Sequence, residues 1–200
     1  VVCGARSGEV VQVHAVGLNP IDNLIPKGDF KPILKLHLPA TLGSDLAGVV
    51  VEVGSGVTRF NVGDAVYASI FDTPHGSLAE FAVVPEQAAA LKPANLDFVQ
   101  AASIPMVGLT AWQAMHERMQ LRPGQKVFIP AGSGGIGTFA IQLARHLGAR
   151  VGTTTSTANV ELVRSLGADE VVDYKQQPFE DVLRDYDAVL GTLRGDGLEK

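Results

Sequence analysis

The residues best suited to bind a ligand form a glycine-rich segment, Ala131 to Gly137. Glycines permit a tight turn there and let a pyrophosphate approach backbone N–H groups, while Gly137 removes a side chain where helix and strand pack closely. Such a segment can also serve only to reverse the chain. Because it lies between a strand-like run and a run with helical spacing, dinucleotide binding is favoured. The predicted cofactor contacts are Ala131, Gly132, Ser133, Gly134, Gly135, Ile136 and Gly137.

The next predicted strand indicates which dinucleotide is bound. An NAD site has a carboxylate about 20 residues beyond the glycines to accept the ribose hydroxyls. Residues Gly152 to Thr157 read Gly-Thr-Thr-Thr-Ser-Thr, and no carboxylate follows before Glu161. Hydroxyl groups without an acid leave room for the 2′-phosphate of NADP, with Thr155 and Ser156 as candidate contacts. The alternative is that these are ordinary strand and helix-cap residues.

The elements around these residues alternate between strand and helix, which predicts a doubly wound parallel α/β sheet. One helix face is traced by Ile136, Phe139, Ala140, Leu143, Ala144 and Leu147, at the spacing of a buried stripe. Gly148 ends this helix and Gly167 ends a second one, predicted from Ala158 to Leu166. The predicted strands and apolar runs are Lys126 to Pro130, Arg150 to Thr154, Glu170 to Asp173 and Ala188 to Leu190.

The first part of the chain is predicted to be all-β. Short β-branched runs broken by glycine and proline are typical of a barrel or sandwich. The runs are Glu9 to Val16, Leu46 to Val53, Ala65 to Phe71 and Leu78 to Val84, and a turn is predicted at Asn19-Pro20. The fold class is therefore α/β with an all-β domain in front, and the boundary is set at residues 95 and 96.

The composition excludes several classes of partner. Of 200 residues, 46% are hydrophobic and 18% charged, which suits a globular core, and the net charge of −5 disfavours nucleic acid. The uncharged stretches Phe98 to Met115 and Val127 to Ala144 are interrupted by proline and glycine, so no membrane span is expected. The single cysteine, Cys3, fits a reducing compartment, and a cytoplasmic location is the expectation.

Further segments at ordered spacing carry a family resemblance. They are Gly43 to Gly54, Phe60 to Val66, Gly76 to Phe81 and Gly108 to Ala111. With the glycine-rich segment, they resemble the medium-chain dehydrogenase/reductase superfamily, and within it the zinc-independent quinone oxidoreductase and 2-alkenal reductase branch. The resemblance runs from about Ser7 to the last residue and covers several independent motifs.

The resemblance implies a fold, a partner and an activity. It implies a GroES-like β-barrel over residues 1–95 and a Rossmann domain over residues 96–200, with the active site in the cleft between them. Such proteins usually have an opening hairpin and further Rossmann strands, so a partial chain is expected. The implied activity is hydride transfer from NADPH to a small-molecule quinone, enone or enal, and the implied full-length state is a homodimer.

The resemblance also assigns catalytic positions. Asn19 would line the cleft near the nicotinamide or the substrate carbonyl. Asp22 would support the same loop, although an Asx-type turn beside Pro20 explains it equally well. Relatives often have tyrosine or lysine where this chain has Leu24, so the proton donor stays open. The candidates for it are Lys27, Tyr67 and water.

Cofactor and metal assignments follow from the same resemblance. Thr110 would touch the nicotinamide end of NADPH, and Tyr174 would lie against the 2′-phosphate. Asn159 stands where many relatives place a lysine on that phosphate, which weakens the expected preference for NADPH. Zinc-dependent relatives have cysteine at the position of Asn19 and a histidine-glutamate pair at that of Ser44-Asp45, so no metal is expected.

Two other functions stay open at this stage. One is a nucleotide-binding protein without turnover, such as an NADPH sensor or a structural protein, which the absence of an assigned proton donor keeps possible. The other is the enoyl-reductase module of a larger synthase.

Overall fold

The computed structural model describes residues 8–31, 38–73 and 76–191. Contacts divide the chain into two units, Val1–Met106 and Val107–Lys200. In the described ranges, no helix is both long and apolar enough to cross a membrane. Cys3, on which the inference of a reducing compartment rests, lies outside the described residues.

The first unit is built on a five-stranded antiparallel sheet. Its strands are β1 (Gly8–Gly17), β2 (Asp45–Val53), β3 (Ala65–Ser69), β4 (Phe81–Pro85) and β5 (Ala89–Leu91). They lie in the order β4-β1-β2-β3-β5, and each neighbouring pair is antiparallel. The all-β prediction is confirmed for this sheet. The predicted strand start at Leu78 is wrong, because the chain bends over residues 78–80 and pairing begins at Phe81.

Valines and a leucine from alternate strand positions form the core of this sheet. Val11, Leu46, Val50, Val66 and Val84 are fully buried in one cluster. Adjacent strand residues point to opposite faces, so the β-branched runs place one set of side chains in this core. Each such side chain contributes about 1.5 to 3 kcal/mol by leaving water.

A helix, α1 (Pro20–Lys27), begins where the sequence predicted only a turn. Pro20 occupies the first helical position, where a missing N–H costs nothing because the first-turn N–H groups have no partner within the helix. Gly28 ends the helix with φ +89°, in the left-handed region that favours glycine. The Asn-Pro pair suits both a turn and a helix start, and here the helix forms.

Helix α2 (Phe98–Ala102) belongs to the first unit. Asp97 accepts a hydrogen bond from the Gln100 N–H at 2.7 Å, and Gln100 Oε1 accepts one from the Asp97 N–H at 3.1 Å, a capping box that starts the helix. Ala101 and Ala102 are buried against Ala47 of β2. The first unit therefore extends to Met106 by contacts, while the domain boundary at residues 95 and 96 stays a prediction.

The second unit is a parallel sheet with helices between its strands. Its elements are α3 (Pro105–Trp112), which starts at the unit boundary, then β6 (Lys126–Ile129), α4 (Gly135–His146), β7 (Arg150–Thr155), α5 (Val160–Ser165), β8 (Glu170–Asp173) and β9 (Ala188–Val189). The strand order is β8-β7-β6-β9, with every pair parallel. This confirms the doubly wound prediction. The order reverses at β6, whose carboxyl end is the usual ligand position in such sheets.

The predicted stripe of α4 faces the core of the second unit. All six of its residues belong to one cluster, in which Ala140 and Ala144 are fully buried. Ile141, which the stripe did not include, is also fully buried and widens the apolar face. Gly148 and Gly167 have φ values of +81° and +109°, so both predicted helix ends are confirmed. Helix α5 starts at Val160, after a 3₁₀ turn over Thr157–Asn159, rather than at Ala158.

The other face of this sheet carries an aromatic group. Phe128 contacts Phe179 and Tyr186, with ring centroids 5.1 Å and 5.9 Å away. The Tyr186 ring crosses β7 at Gly152, where any Cβ would overlap the tyrosine hydroxyl. That hydroxyl donates a hydrogen bond to Glu170 Oε2 at 3.1 Å. Lys126 Nζ lies over the ring, 5.5 Å from its centroid, so the ring has a polar contact at its hydroxyl and another at its face.

Candidate functional site

The first unit contains a group of polar side chains near the start of β2, here called the carboxyl cluster. It consists of Asn19, Asp22, Ser44 and Asp45. Asn19 precedes α1, Asp22 lies in its first turn, and Ser44-Asp45 begins β2. The two predicted catalytic residues are therefore neighbours in space as well as in sequence.

Hydrogen bonds join the members of the carboxyl cluster. The Asn19 N–H donates to Asp22 Oδ2 at 2.8 Å, and the Ser44 hydroxyl donates to Asp22 Oδ1 at 3.4 Å. Asn19 Nδ2 donates to Asp45 Oδ2 at 3.1 Å, and the Met106 N–H reaches the same oxygen at 3.1 Å. Asp22 thus caps the first turn of α1 and fixes the main chain of Asn19.

Both carboxyls of the cluster are buried, which changes the proton affinity of Asp45. Asp45 is 1% exposed and Asp22 8%. Burial raises the pKa of Asp45 above its usual range, and the nearby charge of Asp22 acts in the same direction. Hydrogen bonds from Asn19 and the Met106 N–H, together with the nearby Ser69 side chain, oppose the rise without cancelling it. Asp45 therefore takes up a proton more readily than an exposed aspartate.

Only half of the cluster has side chains of a type that binds zinc. Zinc sites use thiolates, imidazoles and carboxylates, whereas Asn19 and Ser44 offer an amide and a hydroxyl beside the carboxyls of Asp22 and Asp45. Across residues 8–31, 38–73 and 76–191, no three histidine, cysteine, aspartate or glutamate side chains converge on one point. The absence of a metal stays a prediction.

The open candidates for proton donor lie on two different elements. Lys27 is exposed and is the last residue of α1. Tyr67 lies in β3, opposite Ala47 of β2, and is partly buried against it. Neither position selects one candidate, so the assignment stays open as the sequence left it.

In the second unit, the glycine-rich segment forms the turn between β6 and α4. The Gly134 N–H donates to the Ala131 carbonyl at 2.9 Å, which closes the turn. Ala131 has φ +53°, a left-handed conformation that costs a residue with a side chain about 1 kcal/mol or more. The turn is anchored to β7 because the Gly132 N–H donates to the Thr154 carbonyl at 2.9 Å.

The start of α4 is arranged to receive an anion. The first N–H used within the helix is that of Thr138, which donates to the Gly134 carbonyl at 2.9 Å. No side chain caps the helix, so the N–H groups of Gly135, Ile136 and Gly137 are free of intrahelical bonds. Free N–H groups and the positive end of the helix dipole favour a phosphate at this position.

The glycines of the turn divide into two kinds. A Cβ at Gly132 would overlap Thr153 Oγ1, and one at Gly137 would lie 2.5 Å from the Ala131 carbonyl oxygen. These two glycines are needed for close packing of strand and helix. Gly134 and Gly135 are exposed, and a Cβ there would lie no closer than 3.2 Å to its neighbours. They leave the outer side of the turn open, as the pyrophosphate of a dinucleotide requires.

Four neutral side chains next to the turn form what we call the hydroxyl cluster: Ser133, Thr155, Ser156 and Asn159. Ser133 Oγ accepts from Thr155 Oγ1 at 2.8 Å and from Asn159 Nδ2 at 3.3 Å. Asn159 Nδ2 also donates to Ser156 Oγ at 3.3 Å. All four were predicted cofactor contacts, and the fold brings them together at the carboxyl end of β7.

Sequence reasoning missed one carboxylate at the same edge. Asp173 ends β8 and pairs with Thr155 in the sheet register. Its Oδ2 accepts from the Thr157 hydroxyl at 2.6 Å, and its Oδ1 accepts from the Lys175 N–H at 3.0 Å. The edge is therefore not free of acid, but both oxygens of this acid are engaged locally. The sequence did contain a sign of this carboxylate. Asp173 is the last residue of a predicted strand, directly before Tyr174, and strand pairing places that strand end beside β7.

The remaining predicted contacts are Tyr174 and Thr110. Tyr174 follows β8, is 58% exposed, and donates its N–H to the Thr155 carbonyl at 3.1 Å. Thr110 lies on α3, one turn after Val107. Val107 Cγ1 would be 3.2 Å from a Cβ at Gly135, so α3 passes beside the start of α4. The contacts of Tyr174 and Thr110 with NADPH stay predictions.

Comparison with known proteins identifies the two units. Residues 6–94 match the alcohol dehydrogenase GroES-like domain, and residues 135–193 match the zinc-binding dehydrogenase family. The chloroplast envelope quinone oxidoreductase homolog of Arabidopsis thaliana is 43% identical over 176 residues, which are 85% of this chain and 54% of that protein. The NADPH-dependent alkenal/one oxidoreductase of the same plant is 41% identical over 192 residues, 92% of this chain and 49% of that protein.

A solved structure agrees with these relatives. The quinone oxidoreductase of Coxiella burnetii superposes with a TM-score of 0.84 at 36% identity, covering 96% of this chain and 61% of that one. The chain therefore belongs to the medium-chain dehydrogenase/reductase superfamily, with a GroES-like unit followed by a Rossmann-type unit. The chain spans about half the length of the two Arabidopsis relatives.

Proposed function

We propose that this chain is part of an NADPH-dependent oxidoreductase that transfers a hydride to a quinone or to the carbon–carbon double bond of an α,β-unsaturated carbonyl. The names of the two Arabidopsis relatives and of the Coxiella structure support this class of substrate. When bound, NADPH supplies the hydride, and the protein supplies orientation and electrostatics.

The observation that carries the proposal is the hydroxyl cluster beside the glycine turn. The free N–H groups of α4 would hold the pyrophosphate. Ser133 and Ser156 accept from Thr155 and Asn159, so their own hydroxyl hydrogens would be left to donate to a 2′-phosphate. The carboxylate of Asp173 is turned to Thr157 and Lys175, so it does not compete for ribose hydroxyls. Neutral donors favour the dianionic 2′-phosphate, which a free carboxylate would repel.

The carboxyl cluster supports a neutral substrate. Two buried carboxyls, Asp22 and Asp45, would repel an anionic substrate but leave the Asn19 amide as a hydrogen-bond partner for a carbonyl oxygen. An amide donor near that oxygen would stabilise the negative charge that develops on it as hydride is added to the conjugated carbon. Quinones, enones and enals all offer such an oxygen without a charge.

Placing a carboxylate in the hydroxyl cluster tests the cofactor assignment. In the complete gene product, Ser133→Asp should weaken NADPH binding at least tenfold by titration, with a smaller effect on NADH, because only NADPH carries the 2′-phosphate. Ser165→Asp adds the same charge to the exposed face of α5 and should leave both affinities unchanged. Equal losses for NADPH and NADH in Ser133→Asp would contradict the assignment.

Turnover separates this function from binding alone. Steady oxidation of NADPH by the complete gene product with small enals or quinones is expected, and it should survive dialysis against a strong chelator. Tight NADPH binding without oxidation across a substrate panel would favour a sensor or structural role, for which Leu24 in place of a proton donor already argues. Loss of turnover that Zn²⁺ alone restores would show that a metal is needed.

A further inference from the structure

The carboxyl of Asp45 is placed to act on Asn19 and not on a substrate. Asp45 is 1% exposed, and its Oδ1 is buried with no hydrogen-bond partner in the described part of the chain. Its Oδ2 is engaged by two donors, the Asn19 side chain and the Met106 N–H. A group enclosed in this way cannot reach a reacting atom, so any effect on chemistry passes through a neighbour.

Asn19 is held at two points by two different carboxyls. Asp22 accepts from its main-chain N–H at 2.8 Å, and Asp45 accepts from its side-chain Nδ2 at 3.1 Å. The first bond fixes the backbone, and the second fixes the rotation of the carboxamide. An ionised carboxylate has only acceptors, so it selects the NH₂ end of the amide and turns the Asn19 oxygen and the second N–H away from itself.

We infer that Asp45 is a positioning residue, whose carboxylate sets the orientation of the Asn19 carboxamide for the carbonyl substrate. The inference rests on the proposed function for its catalytic consequence, since the substrate class is taken from there. The groups that face Asp45 are the Asp22 carboxyl, the Ser69 hydroxyl, the Asn19 amide and the Met106 N–H. If Asp45 were protonated or replaced by a residue that cannot ionise, the Asn19 carboxamide would be free to rotate or to present its oxygen to position 45.

The first test observes Asn19 directly and does not depend on turnover. In ¹⁵N NMR spectra, the two side-chain amide protons of Asn19 should be well separated and should shift as pH is changed through the titration of Asp45. In Asp45→Asn, this pH-dependent shift should vanish. Asn61 provides an internal reference, because its N–H is also capped at 2.8 Å, by Asp64, and Asp64→Asn should leave the Asn19 signals unmoved.

The second test is a kinetic double-mutant cycle in the complete gene product. Asp45→Asn should lower kcat at least tenfold for enals or quinones while the Kd for NADPH stays unchanged, because the hydroxyl cluster is intact. In an Asn19→Ala background, Asp45→Asn should have little further effect, since the group it orients is gone. Asp64→Asn should be kinetically silent.

The outcomes separate this inference from the proposed function. If the wild-type protein turns over no quinone or enal, the proposed function fails, whereas the Asn19 titration can still show that Asp45 orients the amide. If turnover is normal, but Asp45→Asn leaves the Asn19 signals and kcat unchanged, the inference is overturned. Additive losses from Asp45→Asn and Asn19→Ala would also overturn it, because they show a general loss of fold and not action through Asn19.

Discussion

The two units bury different kinds of polar side chain. The buried polar residues described in the first unit are Glu9, Asp22, Ser44, Asp45 and Ser77, and those in the second unit are Thr153, Thr154 and Thr155. The threonine hydroxyls are satisfied locally; Thr153 Oγ1, for example, donates to the Ile129 carbonyl at 2.6 Å. Burying a hydroxyl with a partner costs little, whereas a buried carboxyl must be paired or take up a proton. We therefore expect pH to affect the interior of the first unit more than the described interior of the second unit.

Glu9 is the extreme case in the first unit. It lies on β1 and is fully buried, and neither carboxyl oxygen has a hydrogen-bond partner among the described residues. Burial raises the pKa of Glu9 to about 7, and the charge of Glu86 adds to the rise. Its own backbone and the Arg59 guanidinium lower it by less. This contrasts with Asp45, whose Oδ2 has two donors.

The largest expected effect tests packing in the second unit, where the described buried polar side chains are all neutral. Gly132→Ala should lower the free energy of unfolding by about 3 kcal/mol, because its Cβ would overlap Thr153 Oγ1 on the neighbouring strand. Denaturant unfolding measures the loss, which should be the same at pH 5 and pH 8. Gly134→Ala is the matched control, since its Cβ would be 3.2 Å from its nearest neighbour and the position is exposed. Equal stability of the two variants would show that β7 adjusts freely.

The next effect tests the pH sensitivity of the first unit. The folded pKa of Glu9 is about 7, above its ordinary value of 4.5, so the stability that its protonated form contributes is present below pH 4.5 and is lost as pH rises through 7. Glu9→Gln should therefore match the wild type at low pH and exceed its stability by about 3 kcal/mol at pH 8.

The control for Glu9 is an exposed carboxyl on the neighbouring strand. Glu52 of β2 pairs with Val10 and is exposed, so Glu52→Gln should not change the slope of stability against pH. A wild-type protein whose stability is flat between pH 5 and pH 8 would contradict the burial argument for Glu9.

A smaller effect tests the hydroxyl cluster. Asn159→Lys should tighten NADPH binding about tenfold, because one charge-assisted contact to a phosphate is worth about 1.5 kcal/mol. NADH binding should not change. Asn61→Lys adds the same charge on the exposed surface of the first unit and should leave both affinities as they are. Similar gains for NADPH in both variants would indicate a nonspecific effect of charge.

The smallest effect concerns the turn itself. Ala131 has φ +53°, so Ala131→Gly should relieve backbone strain. Glycine also makes the unfolded chain more flexible, which offsets part of this gain, so the net stabilisation should be about 0.5 kcal/mol. Gln120→Gly is the matched control, because Gln120 has a similar φ of +50° and lies outside the glycine turn. A destabilised Ala131→Gly, beside a stabilised Gln120→Gly, would show that the Ala131 side chain makes a favourable contact.

The sequence predicts well what local spacing decides. The α4 stripe and the stops at Gly148 and Gly167 follow from helical periodicity and from the need for a left-handed residue. The hydroxyl cluster could also be predicted, because its members follow two strands whose carboxyl ends meet.

Contacts between distant residues could not be predicted. Helix α1 was missed because Asn19-Pro20 is an equally good turn, and only packing selects the helix. Asp45 was noted only as a position without a zinc ligand, since its bond to Asn19 joins residues 26 apart. The engagement of Asp173 by Thr157 likewise depends on how β7 and β8 pair.

Tyr186, which lies across the sheet of the second unit, makes contacts that depend on the register of three strands. Tyr186 contacts β8 through Glu170, β7 at the gap left by Gly152, and β6 through Lys126. A slip of one residue in any of these strands would turn the partner on that strand to the opposite face. A slip of β7 would place a side chain under the ring, and a slip of β8 or β6 would remove the polar contact made by that strand. One side chain thus reports, and helps to enforce, the alignment of three strands whose far ends carry the glycine turn and the hydroxyl cluster.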